Sequence, residues 1–259
     1  MRTKPVRSDP PVTVRAPAKL TRSLRITGVR ADGYHEIDAE MVTLELADEL
    51  TFSDGDGLEV VGGTGLAVPG DDSNLVRRAL AAVGRRAAVR LVKRIPAGAG
   101  LGGGSADAAA VLRWAGCADL GVACALGADV PFCLRGGRAL VRGVGEVLVP
   151  LEAMDRTYTL LIPPFGVSTS EVYRAWDRLG GPSSDGANDL EPAALVVEPA
   201  LAEWRDRLAE GTGATPVLAG SGSAWFVEGA FPGDGRVVAH TERETGGSTS
   251  WRDAGSGCA

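Results

Sequence analysis

A glycine-rich segment that runs directly into an alanine-rich one constrains this chain most strongly. Residues 96–110 read P-A-G-A-G-L-G-G-G-S-A-D-A-A-A, with five glycines between Gly98 and Gly104. Glycines let a loop adopt positive φ and expose its backbone N–H groups, and the alanine-rich run favours a helix. A loop that ends at a helix N-terminus collects free N–H donors at the positive end of the helix dipole. The segment therefore predicts a cradle for the phosphates of a nucleotide.

The same residues also fit other interpretations. A glycine cluster is typical of a turn or a flexible connection. Residues 98–103 match G-x-G-x-x-G, but Pro96 interrupts the approach and Asp119 does not end a second strand, as the dinucleotide fingerprint requires. A P-loop needs Lys-Ser or Lys-Thr after its last glycine, whereas Ser105 follows directly here. The sequence contains neither H-R-D nor D-F-G, which argues against a protein kinase.

Composition bounds the class of protein. With 259 residues, 44% of them hydrophobic and 23% charged, the chain can form one large or two small soluble domains. A net charge of -6 argues against nucleic-acid binding, and no apolar run is long enough to span a membrane. The four cysteines lack C-x-x-C spacing, which favours reduced thiols and a cytoplasmic protein. We expect a small-molecule enzyme that is a monomer or a homodimer.

Hydrophobic patterns predict strands and helices along most of the chain. Residues 1–11 are basic and proline-rich, and we expect a disordered tail there. Strands are predicted over residues 12–26 with a break at Pro17, and over 37–46, 51–61, 89–95 and 158–162. Residues 136–149 are predicted as two strands around a glycine turn, and residues 217–227 as a strand broken by a glycine-serine loop. Helices are predicted over residues 75–86, after the glycine loop, and over 168–179 and 200–208. The last ~30 residues show little periodicity, and no element is predicted there.

Four side chains outside the glycine loop are candidates for chemistry. Lys19 follows Pro17 in a mostly apolar neighbourhood, although a lysine in a strand is more often exposed to solvent. Tyr34 and His35 adjoin each other at the exit of an Asp-Gly turn, where they either contact a planar ring or lie by chance. Asp129 lies among apolar residues and precedes Val-Pro, so it is either a helix cap or a functional carboxylate.

Three separated motifs resemble those of the GHMP small-molecule kinases. They are A-P-A-K at residues 16–19, P-x3-G-L-G-G-G-S-A-D at 96–107, and G-S-G-S at 220–223. Within that superfamily, three more segments resemble the kinases of 4-diphosphocytidyl-2-C-methyl-D-erythritol. These are R-A-D-G-Y-H at 30–35, L-G-A-D-V-P-F at 126–132 and N-D-L-E-P at 188–192. Six ordered motifs over residues 12–227 make the resemblance specific.

The resemblance implies an α+β fold of two lobes with the active site in the cleft between them. An N-terminal, ATP-binding domain would cover residues 12–154, and a C-terminal domain would cover residues 155–259. The implied reaction transfers the γ-phosphoryl group of ATP to the tertiary 2-hydroxyl of a cytidine diphosphate-linked alcohol, a step of the non-mevalonate isoprenoid pathway. Mg²⁺ would bridge phosphate oxygens, and no protein ligand is assigned to it.

The resemblance also implies a role for each matching residue. Asp129 would be the general base, and Lys19 beside it would stabilise charge as the phosphoryl group moves. The ATP-binding residues would be Pro96, Gly98, Gly100, Leu101, Gly102, Gly103, Gly104 and Ser105 at the phosphates, with Lys93 and Asn74 near the nucleoside. The substrate-binding residues would be Tyr34, His35 and Tyr173 at the cytosine, with Thr21, Gly220 and Ser221.

The chain also departs from the family pattern. The family commonly reads A-P-A-K-I-N-L, but Thr21 stands here in place of the amide and Arg22 in place of an apolar residue. The segment between residues 114 and 126 is shorter than is typical, and the tail after Val227 is short and polar. These departures bear on the choice of substrate.

Two alternative functions therefore stay open. One is a GHMP kinase for another small alcohol, of the homoserine or mevalonate type. The Tyr34–His35 pair argues against it, because neither substrate carries a base. The other is a non-catalytic nucleotide-binding relative, and the retention of Asp129 and Lys19 argues against that one.

Overall fold

A computed structural model describes residues 10–63 and 66–242 of the chain. Most of the tail predicted over residues 1–11 lies outside the described residues. Residues 243–259 of the predicted C-terminal domain lie outside them as well.

The described residues form ten strands and seven helices. The strands are β1 (Val12–Val29), β2 (His35–Ser53), β3 (Gly57–Gly62), β4 (Ala88–Lys93), β5 (Arg138–Gly143), β6 (Val147–Pro150), β7 (Thr157–Leu161), β8 (Val217–Leu218), β9 (Trp225–Glu228) and β10 (Arg236–His240). The helices are α1 (Leu75–Ala82), α2 (Gly103–Trp114), α3 (Leu120–Leu126), α4 (Val130–Arg135), α5 (Thr169–Arg178), α6 (Glu191–Val197) and α7 (Leu201–Thr212).

The first sheet is built around the long strand β2. Strand β1 pairs antiparallel with one edge of β2 along most of its length. On the other edge, β5 pairs with residues 37–42 and β4 with residues 49–53, both antiparallel. Strand β3 lies parallel to β4, and β6 lies antiparallel to β5. All six strands come from residues 12–150, and the second sheet begins at Thr157, so the predicted boundary at residue 154 falls between the two sheets.

The predicted break at Pro17 is wrong, because β1 is one continuous strand. The pairing register with β2 shifts between Pro17 and Lys19. Proline has no N–H to donate to the ladder, and a bulge accommodates it without ending the strand. Beyond the shift, the backbone N–H of Lys19 donates to the carbonyl oxygen of Leu101 at 3.0 Å. The irregularity thus joins the first strand to the glycine-rich loop.

Helix α2 packs on β1 and β2, with α1, α3 and α4 around it. Its alanines at positions 106 and 108–110 are completely buried, together with Val111 and Leu112. Burial of this small apolar face fixes where the helix begins, directly after the glycine-rich loop. The helix predicted to follow the loop is therefore confirmed.

The second sheet has the order β10-β7-β9-β8, with antiparallel pairing throughout. Helices α5, α6 and α7 lie with it, and an apolar core joins them to the first sheet. In that core, Leu24, Ile37 and Met41 pack with Val172 and Trp176 of α5. Strand β10 and the short helices α3, α4 and α6 are elements that the sequence patterns did not predict.

Candidate active site

A cleft of about 560 Å³ opens between the glycine-rich loop and the second lobe. Most of the residues predicted to bind ATP or substrate line it. They are Lys19, Thr21, His35, Asn74, Lys93, Pro96, Gly98, Gly100, Leu101, Gly102, Gly103, Gly104, Ser105, Asp129, Tyr173, Gly220 and Ser221. Residues from seven separate segments of the sequence thus meet in one cavity.

Tyr34 is the predicted site residue that the structure does not bring into the cleft lining. Its side chain is 65% exposed. The turn that precedes β2 holds its backbone, because the Tyr34 N–H donates to Asp32 Oδ1 at 3.2 Å and the Tyr34 carbonyl accepts from the N–H of Arg30 at 2.8 Å. This turn directs His35, and not Tyr34, towards the cavity.

The N-terminus of α2 presents free backbone donors to the cleft. Gly102 is the N-cap, with φ of 69°, and it has no side chain to cap the helix. The N–H groups of Gly103, Gly104 and Ser105 therefore have no intrahelical or capping partner. Free donors at the positive end of a helix dipole favour an anionic ligand.

The glycine-rich loop lies tightly between the two lobes. The N–H groups of Ser223 and Ala224 donate to the carbonyls of Gly98 and Ala99, at 3.2 and 3.0 Å. A Cβ atom on Gly100 would come within 2.2 Å of the Ala219 carbonyl oxygen, so a side chain there has no room. The second lobe thus holds the loop through backbone contacts.

Lys19, Thr21 and Asp129 form a connected polar group at the centre of the cleft. Lys19 Nζ lies 3.4 Å from Asp129 Oδ2 and donates to Thr21 Oγ1 at 3.0 Å. The Lys19 side chain is 6% exposed, whereas that of Asp129 is 32% exposed. Asp129 occupies the N-cap position of α4 but makes no capping hydrogen bond with its side chain. Of the two interpretations of Asp129, the geometry favours the functional carboxylate.

A second cation, Lys93, lies beneath the loop in a buried ion cluster. Its ammonium donates to Asp48 and, at 2.8 Å, to Asp107 Oδ2. Asp48 also accepts from the backbone N–H of Ile95 at 2.8 Å. Lys93 thus fastens β4 to β2 and α2, whereas the sequence interpretation placed it near the nucleoside of ATP. That contact stays a prediction.

Asp107 is the unusual member of this cluster. Burial raises its pKa to about 7, Lys93 opposes the rise and the nearby Asp48 adds to it. Its other oxygen, Oδ1, is buried without a hydrogen-bond partner in the described structure. No role was predicted for Asp48 or Asp107 from the sequence. The available signal for Asp107 was an acid inside an alanine run, whereas Asp48 lies next to Glu49 and was not distinguished by its neighbours.

Asn74 caps helix α1 at the edge of the cleft. Its Oδ1 accepts from the Val76 N–H at 2.8 Å, and its amide donates to the Pro69 carbonyl at 2.7 Å. Both ends of the side chain are therefore engaged in holding the entry to α1. The predicted contact of Asn74 with the ATP nucleoside is not tested by these bonds.

His35 and Tyr173 line one end of the cleft, and Trp176 and Asp177 contact His35. The rings of His35 and Tyr173 lie 4.7 Å apart at a tilt, and Trp176 approaches the His35 ring edge-on at 5.4 Å. His35 Nε2 lies 2.7 Å from Asp177 Oδ1. Trp176 and Asp177 were not predicted as site residues, although their spacing from Tyr173 places all three on one helix face.

Asn188 supports the loop that carries Gly220 and Ser221. Its amide donates to the carbonyls of Leu218 and Gly220, at 2.8 and 2.7 Å. The Ser221 hydroxyl shares a 2.8 Å hydrogen bond with that of Thr169, at the start of α5. The N-D-L-E-P segment thus positions the part of the second lobe that faces Lys19.

Comparisons with known proteins agree with this arrangement. Residues 74–137 match the family described as GHMP kinases N terminal domain. A structure of mevalonate pyrophosphate decarboxylase from Streptococcus pyogenes shares the fold, with a TM-score of 0.60 at 11% identity over 91% of this chain and 98% of that chain. The fold and the glycine-rich loop define a small-molecule kinase of the GHMP class.

Closer relatives identify the family within that class. The chain is 36% identical over 264 residues to 4-diphosphocytidyl-2-C-methyl-D-erythritol kinase of Paracoccus denitrificans (strain Pd 1222), covering 94% of this chain and 96% of that protein. The chain therefore belongs to the 4-diphosphocytidyl-2-C-methyl-D-erythritol kinase family. The protein of the same name from Pelotomaculum thermopropionicum (strain DSM 13744 / JCM 10971 / SI) is 40% identical over 277 residues, covering 90% and 94%.

A solved structure supports the same family. A crystal structure of 4-(cytidine 5'-diphospho)-2C-methyl-D-erythritol kinase matches with a TM-score of 0.69 at 33% identity, over 88% of this chain and 98% of that one. The predicted family, the two-lobed α+β GHMP fold and the enzyme class are confirmed. GHMP kinases use ATP. Among the described helices, none has the length and apolar character needed to span a membrane.

Proposed function

We propose that this chain transfers the γ-phosphoryl group of ATP to the 2-hydroxyl of 4-diphosphocytidyl-2-C-methyl-D-erythritol, a step of the non-mevalonate isoprenoid pathway. The observation that carries the proposal is the Lys19–Asp129 pair, which shares one cleft with the free N-terminus of α2. Family membership supports the choice of substrate, because the names of the relatives contain it.

The helix terminus supplies the ATP-binding surface. The N–H groups of Gly103, Gly104 and Ser105 point outward from the first turn of α2 and have no capping partner. They bind phosphate oxygens without a change in the loop, because Gly100 and Gly102 are already held in the left-handed region. The remaining predicted loop residues, Pro96, Gly98 and Leu101, shape the same cradle.

Asp129 acts on the substrate hydroxyl. Its carboxylate is half-open to the cleft and accepts the proton of the 2-hydroxyl as that oxygen attacks the γ-phosphorus. Lys19 is almost completely buried behind it and keeps a positive charge beside the reacting group. Thr21 accepts one hydrogen bond from the ammonium and so limits the directions in which Lys19 can point.

The described residues fit a Mg²⁺ ion that is bound mainly by phosphate. They contain no cluster of three metal-ligating side chains, and Mg²⁺ at nucleotides takes one or two protein oxygens together with phosphates and waters. The buried Oδ1 of Asp107 has no hydrogen-bond partner in the described structure, and Ser105, in the first turn of α2, brings its Oγ to the cleft lining. These atoms would hold the ion, which neutralises charge on the transferred group.

The aromatic end of the cleft holds the cytidine. Tyr173 offers a ring face, and His35 offers a ring nitrogen beside it. Gly220 and Ser221 close the cleft from the second lobe, supported by Asn188. Tyr34 is exposed outside the cleft lining, and its contact with the base stays a prediction.

The proposal also includes predictions about the domain bounds, the partners and the oligomeric state. We propose an N-terminal domain over residues 12–154 and a C-terminal domain over 155–259, in accord with the two sheets. The net charge of -6 supports a protein without nucleic-acid partners. A cytoplasmic monomer or homodimer stays the expected state.

The test is the release of ADP by the purified chain with Mg-ATP and 4-diphosphocytidyl-2-C-methyl-D-erythritol. Turnover should require the cytidine substrate and should fall by roughly 10²–10⁴-fold in Asp129→Asn. Asp206→Asn on the exposed face of α7 is the matched control. Homoserine and mevalonate are assayed in parallel. Phosphorylation of one of these alone, or ATP binding without turnover on any alcohol, would refute the proposal.

A further inference from the structure

His35 is held by three side chains of one helix. It is the first residue of β2, and its side chain is 8% exposed. Tyr173 and Trp176 contact its ring, and Asp177 bonds its Nε2 atom. Residues at spacings of three and four lie on the same face of a helix, so α5 presents all three to the imidazole together. A helix of the second lobe therefore fixes the plane of a first-lobe side chain.

The partner on Nε2 determines what the other ring nitrogen can do. An ionised carboxylate only accepts hydrogen bonds, so the bond to Asp177 requires a proton on Nε2. A neutral imidazole with its proton on Nε2 has a lone pair on Nδ1, which is then a hydrogen-bond acceptor. Nδ1 has no hydrogen-bond partner within the described residues, and His35 lines the cleft.

We propose that Asp177 is a positioning residue that sets the His35 tautomer and thereby selects an amino-bearing pyrimidine. This inference rests on the proposed function, in which His35 contacts the base of the substrate. Cytosine carries an amino group at position 4, and uracil carries a carbonyl oxygen there. The acceptor Nδ1 of His35 can receive a hydrogen bond from the amino group of cytosine. The carbonyl oxygen of uracil has no proton to donate, so its lone pairs would face the lone pair of Nδ1. A site with a fixed acceptor rejects the analogue that lacks the matching donor.

The acidic partner matters because other residues at this position would not impose the same tautomer. An asparagine side chain has an amide nitrogen that donates hydrogen bonds and a carbonyl oxygen that accepts them. It can therefore bond Nε2 of His35 whether or not that nitrogen carries a proton. Asp177→Asn therefore allows Nδ1 to carry the proton and to donate towards a carbonyl oxygen. Asp177→Glu keeps the acceptor, and Asp177→Ala removes the partner.

The experiment compares the affinities of CDP and UDP by calorimetry, with the ATP site filled by a non-hydrolysable ATP analogue. We expect the wild-type protein to bind CDP roughly 10- to 100-fold more tightly than UDP. The preference should persist in Asp177→Glu and in the control Asp206→Asn. It should fall to about threefold or less in Asp177→Asn and Asp177→Ala, while the affinity for the ATP analogue stays unchanged.

A second measurement reads the tautomer itself. The chain has two histidines, His35 and His240, so a His240→Gln background leaves one imidazole in a ¹⁵N spectrum. We expect the proton on Nε2 in the wild type and a shift towards Nδ1 in Asp177→Asn. A merely structural role of Asp177 would weaken CDP and UDP equally and leave their ratio unmoved.

The outcomes separate this inference from the proposed function. If the wild type prefers CDP and Asp177→Asn keeps the same ratio, the tautomer proposal is overturned and the proposed function stands. If the wild type turns over the cytidine substrate but binds CDP and UDP equally, base selection by His35 is refuted. If it binds neither pyrimidine nucleotide and phosphorylates no cytidine substrate, the proposed function itself fails.

Discussion

Lys19 Nζ lies 3.4 Å from Oδ2 of Asp129, although the two residues come from the first strand and from the N-cap of α4. The register shift at Pro17 directs Lys19 towards the glycine-rich loop, and its aliphatic carbons lie against Gly102. The cation therefore stands between the phosphate cradle and the proposed base. A cation in this position can stabilise the negative charge that shifts from the hydroxyl to the phosphate during the reaction.

The first prediction concerns the charge of Lys19. Lys19→Met keeps the stem that packs on Gly102 and removes the ammonium. We expect kcat to fall by roughly 10²–10³-fold, with a smaller change in KM for the cytidine substrate, because the charge acts mainly in the transition state. Steady-state kinetics would measure both constants. Arg90→Met on β4, which removes an exposed cation, is the control. A rise in KM with unchanged kcat would show that Lys19 only binds substrate.

The second prediction concerns Thr21, which stands where the family commonly has an amide. Thr21→Val preserves shape and removes the oxygen that accepts from Lys19 at 3.0 Å. We expect kcat to fall roughly 10- to 100-fold, because a hydrogen bond donated by a charged group contributes about 1.5–3 kcal/mol. Thr21→Ser should restore most of the activity. Equal losses in the valine and serine variants would show that the methyl group matters and not the hydroxyl.

The third prediction tests the fit of the glycine-rich loop. A Cβ atom on Gly100 would lie 2.2 Å from the Ala219 carbonyl oxygen, and φ is +77° there. Gly100→Ala should lower the free energy of unfolding by roughly 2–4 kcal/mol, from backbone strain and overpacking together, and should weaken ATP binding.

The matched control for the loop is Gly116→Ala. Gly116 also has positive φ, at +72°, but nothing lies within 4 Å of its would-be Cβ. The Gly116→Ala substitution should lower the free energy of unfolding by only about 1–2 kcal/mol and leave the affinity for ATP unchanged. Urea denaturation and calorimetric ATP titration give both quantities. If the two variants lose equal stability, close packing of the loop against the second lobe is not what constrains Gly100.

Local sequence signals predicted the parts of the fold that depend on near neighbours. The glycine-rich loop and its helix follow from glycine and alanine preferences, and α5 begins and ends within a residue of its predicted bounds. Helix α6 was missed because it is short and starts at Glu191-Pro192, in a segment to which no secondary structure was assigned. Strand β10 was missed because its pairing with β7 is distant in sequence.

Long-range electrostatics could not be predicted in the same way. Arg22 looked like an anomaly, yet it pairs with Glu40 on β2 and Glu228 on β9 and so bridges the two lobes. The pairing of Lys93 with Asp48 and Asp107 likewise joins three elements. No local pattern specifies such partners, because each lies at least 14 residues from Lys93 along the chain. The resemblance to a known family indicated the proposed catalytic pair, and the three-dimensional structure was needed to find these networks.

The last prediction uses the raised pKa of Asp107. In the folded protein burial raises this pKa to about 7, from an ordinary value of 3.8. Between these values the folded state holds a proton that the unfolded state has lost, so stability from this group is full below about pH 4 and is lost as the pH rises to about 7. Asp107→Asn cannot titrate and lacks this dependence. Its amide oxygen still accepts from Lys93, which should preserve the packing of the cluster.

The wild type should therefore lose stability relative to Asp107→Asn as the pH increases. We expect the difference in unfolding free energy, wild type minus variant, to be on the order of 1–3 kcal/mol more favourable at about pH 5 than at about pH 8. Urea denaturation without nucleotide at both values measures it, with Asp206→Asn as the control for an exposed carboxylate. A difference that is constant, or that grows with pH, would mean that Lys93 keeps Asp107 ionised and that the buried cluster carries its negative charge throughout.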